Sequence, residues 1–285
     1  MLTWHYMRLI VYLTIGAIGI VGNALAVTVL HLKMKRNNPN FMLKAVCVNG
    51  IIMMLLLISM AFSQYFLEDK TPKSVLLVFM LHCSSRFTAG WLLAFISCAR
   101  TFAFLWPSHT ENVWSNLRVY GAVIAIPLAG CIVQIPMANN IIFEIYNEKY
   151  FVLWSMFNVL CVDVIPMVLL MLSLIPMAGK IKVLAYQECS NSPGGIIEGV
   201  RVINKVLIAL AISYTFCHVP FSANSLRHLI QGFMTGDKYV ETCWNKVLNL
   251  ISYGFITMNI AFQIGIFAAL NKEFNSGLKE ILKKS

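Results

Sequence analysis

Two ionised side chains stand inside stretches that otherwise carry no Asp, Glu, Lys or Arg: Arg86 within Ser74–Ala99 and Asp163 within Tyr150–Gly179. An arginine at the centre of a membrane helix costs roughly 2.5–3.5 kcal/mol on insertion scales, so such charges pair with one another or line a cavity. At about 1.5 Å per residue, Arg86 lies ~21 Å along a helix from Arg100, and Asp163 ~25 Å from Lys180. If both helices cross in the same direction, the two charges share one level. They can then form the floor of a ligand pocket, with one of them binding the ligand, or a structural salt bridge; the two readings are compatible. Arg100 has its own pair of readings: an arginine facing protein or water, or a helix-end arginine whose head reaches the headgroups.

Other reactive types do not assemble. Eight cysteines are scattered along the chain without a CxxC or Cys/His spacing, which reads as small apolar packing rather than a metal site or redox pair. There is no Gly-x-Ser-x-Gly elbow and no His-Glu-x-x-His motif, so neither a hydrolase nor a metalloenzyme is expected, and no cofactor or metal. Pro166 and Pro220 fall within apolar stretches. A proline inside a helix removes one backbone hydrogen bond and makes a natural hinge.

The elements that would hold these residues follow from composition. Of 285 residues, 59% are apolar and only 12% charged, about half the charge of a soluble domain. Leu9–Leu32, Ala45–Leu67, Val119–Phe143, Val206–Leu226 and Val247–Asn271 carry no charge at all. With the two singly interrupted stretches they make seven segments long enough for a bilayer core, which takes about 20 helical residues. Backbone groups in lipid must bond internally, so each is expected to be a helix. The reading is an all-α membrane protein, a seven-transmembrane bundle in one domain over residues 1–285. Its spans run over about 8–32, 44–67, 73–104, 118–142, 150–179, 201–229 and 245–270.

Charge placement orients the chain. With the N-terminus outside, fourteen of the 22 Lys and Arg fall on the cytoplasmic side against five of the 12 Asp and Glu, and the rest nearly cancel. This satisfies the positive-inside rule. The net charge of +10 then faces anionic lipid, and no nucleic-acid partner is expected. Ile266, Phe267, Leu270, Phe274, Leu278 and Ile281 recur at helical spacing, with Lys272, Lys279, Lys283 and Lys284 on other faces. A short amphipathic eighth helix over about 272–283 is expected on the inner leaflet.

Several local patterns now coincide in order. Gly22-Asn23 lies in the first span, and Asn40-Phe41-Met42-Leu43 opens the second. Cys98-Ala99-Arg100-Thr101 ends the third, with Pro107 beyond it, and Pro166 sits in the fifth. Phe216-Cys217-His218-Val219-Pro220-Phe221 lies in the sixth. Asn259 through Gln263 and Phe267 to Phe274 make up the seventh and the tail. Together they resemble the rhodopsin-like (class A) G-protein-coupled receptors, most of all the FMRFamide-type neuropeptide receptors of invertebrates.

The resemblance implies a plasma-membrane receptor for an extracellular ligand, with a peptide favoured, that signals to a heterotrimeric G protein. It implies ligand contacts among His82, Arg86, Asn158, His218, Phe221, Ser225 and Tyr253, to which the reading of the two charges adds Asp163. Switching and coupling would fall to Arg100, Pro166, Lys205, Pro220 and Phe267, with Gly22, Asn23, Cys217, Asn259 and Gln263 as structural positions.

The chain departs from the family where Ala99 replaces the acid beside Arg100, Gly50 stands at the acidic position of the second helix, and Gln263-Ile264 replaces Asn-Pro. Counted back from Arg100, the family's outer cysteine would fall at Val75, and Met137–Lys149 has no cysteine, so the usual disulfide is not expected. Without an adjacent acid Arg100 would be weakly held, and Glu198 is a possible substitute. A divergent chemosensory receptor for a small molecule is the nearest alternative. A small transporter is a further one, but it would need repeats or a file of ionisable residues.

Overall fold

The computed structural model describes residues 2–34, 37–66, 73–106, 108, 115–142, 148–188, 195–235 and 243–284. Among these every long element is helical and no strand occurs. The helices are α1 (Leu2–Leu32), α2 (Asn38–Phe66), α3 (Lys73–Leu105) and α4 (Asn116–Ile142). α5 is one rod in three parts: α-helical Glu148–Val159, a π-helical turn Leu160–Val164, and α-helical Ile165–Glu188. α6 (Gly195–Thr235), α7 (Cys243–Leu270) and the shorter α8 (Lys272–Lys284) follow. The first seven are long and apolar enough to cross a membrane. The chain is a multi-pass membrane protein.

Helix ends follow local chemistry. The Asn37 side chain accepts the Asn40 backbone N–H at 2.9 Å, and that of Asn271 accepts the Phe274 N–H at 3.1 Å. Each is an N-cap three residues upstream, which satisfies a donor the helix cannot. α2 therefore starts at Asn38, ahead of the motif at Asn40. α5 and α6 also overrun the expected spans, because polar residues at a helix end can reach headgroups without ending the helix. Pro107, Ser190–Gly194 and the loop residues 143–147, together with the side chains of Val75, Met137–Ile142, Lys180 and Glu198, lie outside the described residues.

The helices close a ring. α1 packs on α2 and α7, α3 on α2, α4 and α5, and α6 on α5 and α7. The interior holds two apolar clusters. The larger, near α8, includes Val29, Met42, Cys47, Leu92, Ile96, Leu170, Leu207, Tyr214, Phe267 and Phe274. The smaller, at the other end, gathers Tyr12, Met53, Met54, Leu57, Ala61, Ile256 and Ile260. Between them runs a belt of buried polar side chains: Asn23, Asn49, Ser85, Arg86, Asp163, His218 and Asn259. On α1, α2 and α7 the chain passes from one cluster to the other through Asn23, Asn49 and Gln263.

Candidate functional site

The belt is deepest where α3, α5 and α6 meet. Pro166 has no N–H, so in α5 it can satisfy neither the Val162 carbonyl of an α-turn nor the Cys161 carbonyl of a π-turn. Side chains take both. The Trp91 indole on α3 donates to Cys161 O at 2.8 Å, and the Tyr214 hydroxyl on α6 donates to Val162 O at 3.5 Å. The π turn ends on the backbone bond from Ile165 N–H to Leu160 O, and it buries Asp163. Gly90 makes the approach possible: a Cβ there would run into the Tyr214 hydroxyl and would lie 3.2 Å from Pro166 Cβ.

Asp163 is 1% exposed and Arg86 4%. The Arg86 guanidinium donates through Nη2 to Asp163 Oδ1 at 2.8 Å and Oδ2 at 3.0 Å. His218 Nδ1 lies 3.0 Å from Asp163 Oδ1. A carboxylate can only accept, so Nδ1 carries the proton in this bond. Tyr214, one turn before His218, stacks on its ring at 3.9 Å between centroids. Phe221 places its ring 4.2 Å from the Arg86 guanidinium carbon, and Tyr253 of α7 meets Phe221 edge-on at 5.1 Å. One charge from each of α3 and α5 is thus neutralised in place, with an α6 imidazole as third member. Beside them, Arg86, Tyr214, His218, Asn259 and Gln263 face a small cavity with room for about one water molecule.

The other expected ligand residues are dispersed. His82 is fully buried on α3, one turn from Arg86. Asn158 accepts from Gln134 of α4 at 2.9 Å; it joins α4 to α5 and has no bond to the cluster. Ser225 is half-buried beyond it on α6. Trp91, Tyr214 and Gln134 were not singled out by the sequence. A tryptophan within a span needs an acceptor for its N–H, and a tyrosine one turn from a histidine shares its face; those are the signals that carry them.

The structural positions fall on helix contacts. Gly22 lets α1 approach α7, where a Cβ would lie 3.1 Å from Ile264 Cγ2. Asn23 donates to Gly19 O at 2.8 Å and Ile260 O at 3.2 Å. Asn49 and Ser85 bond reciprocally, at 2.9 Å to the Ser85 carbonyl and 3.0 Å to the Asn49 amide oxygen. Gly50 is pressed against Asn23 Oδ1 and Ile260 Cγ2, so a Cβ there would already be tight and an acidic side chain has no room. Asn259 accepts from Ser213 of α6 at 2.8 Å. Gln263 and Cys217 are buried, Cys217 as a free thiol.

Toward α8, Arg100 and Lys205 are half-buried on α3 and α6, and Ala99 beside Arg100 is buried. α6 continues unbroken through Pro220. Phe267 stacks on Phe274 at 5.3 Å, joining α7 to α8. Among the described residues no group of three or more His, Cys, Asp and Glu could hold a metal ion. No protein-family model matches the chain, and no curated protein sequence matches it.

Proposed function

We propose that the chain is a divergent rhodopsin-like G-protein-coupled receptor that takes an extracellular ligand, with a peptide favoured, in the half of the bundle away from α8. The observation that carries this reading is the Arg86–Asp163–His218 cluster, which ties α3, α5 and α6 together at the π turn. A ligand that disturbs the cluster changes what holds α6. A ligand shifts a two-state equilibrium only by its differential affinity for the two states, and a buried, helix-crossing ion pair is where a bound group can have that difference. The inner half of α6, with Lys205 and Arg201, would then swing about Pro220 and open the region near Arg100 to the G protein.

In this reading the N-terminus is extracellular, the C-terminus cytoplasmic, and the membrane is the plasma membrane. α8 lies along the inner leaflet, its lysines toward headgroups and Phe274, Leu278 and Ile281 turned onto the bundle. Packing of Leu278 and Ile281 against the larger apolar cluster supports this. The test is a peptide-library screen on cells expressing the chain, read as nucleotide exchange on co-expressed G proteins. Exchange stimulated by a peptide and lost in Arg100→Ala supports the receptor. Uptake of labelled solute without any exchange would replace it with a transporter.

A further inference from the structure

We infer that Arg86 and His82 form a binding site for a ligand carboxylate, while Asp163 serves the fold. This rests on the receptor reading above and names the ligand chemistry of the same site. It follows from counting donors and acceptors. Asp163 Oδ1 accepts from both Arg86 and His218, and Oδ2 accepts from Arg86. An amine entering here would have to displace partners that already fill the carboxylate. Arg86 is the opposite case. A guanidinium has five N–H donors, yet both bonds to Asp163 come from Nη2, and the buried Nε has no partner.

His82 adds the second half. It is 0% exposed, and neither Nδ1 nor Nε2 has a hydrogen-bond partner. The Met53 backbone of α2 lies within reach of the ring, but its geometry satisfies neither nitrogen. Residues four apart share a helix face, so Arg86 and His82 stand one turn apart on the same side of α3. A buried donor left unmade is costly, which marks the pair as incomplete. What completes it is an acceptor with two oxygens and a negative charge, since charge-assisted bonds to guanidinium are the strong ones. Phe221, over the guanidinium, and Tyr253, edge-on to Phe221, would give the group bearing that carboxylate an apolar and aromatic seat. Its source is either the C-terminus of a peptide or a small organic acid.

The test uses the full chain in lipid nanodiscs, read as a thermal midpoint. One arm presents short apolar peptides with free C-termini and the same peptides amidated. The other presents straight-chain acids from hexanoate to dodecanoate and their primary amides. The expected result is stabilisation by acids in one arm and none by the matched amides, and the responding arm names the source. His82→Phe removes both ring nitrogens, with at most a weak contact to the Met53 backbone, and replaces the imidazole by a somewhat larger ring. It and Arg86→Lys should each weaken acid binding roughly tenfold or more.

Equal stabilisation by the amides, absence of stabilisation in both acid arms, or full acid affinity in His82→Phe overturns the inference. Acid binding that never stimulates nucleotide exchange would sink the receptor reading and leave the carboxylate site standing. Exchange evoked only by amidated or amine ligands would do the reverse.

Discussion

Asp163 takes three hydrogen bonds from two helices at 1% exposure, so deleting it strands Arg86 where water cannot replace it. Breaking one side of a buried pair costs about 3–5 kcal/mol, whereas replacing both sides with apolar residues of similar volume is often neutral. Asp163→Ala should therefore lower the thermal midpoint in detergent sharply, and Arg86→Met with Asp163→Leu should recover most of the loss. Exchanging the two charges should not, because the transferred arginine would face His218. At Gly90 the constraint is space. Gly90→Ala should cost about 1–3 kcal/mol, the range for overpacking, and the cost should shrink in a Tyr214→Phe background, where the colliding hydroxyl is gone. A double-mutant cycle on thermal midpoints checks it.

The π turn of α5 depends on donors supplied by its neighbours. Trp91→Phe leaves Cys161 O unpaired in the bundle, at a cost of about 1–3 kcal/mol. Amide exchange over Leu160–Val164 should speed up while α1 and α7 stay unchanged. The joint between α1 and α8 divides the other way. Lys33 and Glu280 meet at 2.6 Å, but their side chains are 30% and 48% exposed, and such a pair is worth at most about 1 kcal/mol and fades with salt. Phe274 is fully buried against Phe267, and Phe274→Ala should cost about 3–5 kcal/mol. Thermal midpoints of Lys33→Ala and Phe274→Ala at low and high salt separate the two: only the first should converge on wild type as salt rises.

For the whole molecule, the proposed orientation has the N-terminus outside. An N-terminal epitope tag should stain intact cells, and a Lys279→Cys variant should react with an impermeant maleimide only after permeabilisation. The seven helices were legible in the sequence because lipid leaves the backbone one solution, and charge-free length records it. The shared level of Arg86 and Asp163 was legible from helix rise alone. Their third partner was not: His218 was expected in the pocket as part of the Pro220 motif, and only the tertiary fold brings it onto Asp163. Trp91 and Tyr214 were hidden for a related reason. They look like ordinary apolar-face aromatics until Pro166 is seen to strand two carbonyls. The bond from Gln134, across on α4, to Asn158 was equally hidden, since it too joins residues of different helices.

The joint at α8 also bears on how the chain is made. Lys33 and Glu280 are 247 residues apart in sequence, and α1 packs on α7 as well. Of the eight described helices, α1 thus leaves the ribosome ahead of the others, while its neighbours α7 and α8 follow all the rest. Until they arrive, the Asn23 amide lacks its Ile260 acceptor and Val29 its cover from Gly277, so that face of α1 waits in the membrane half-built.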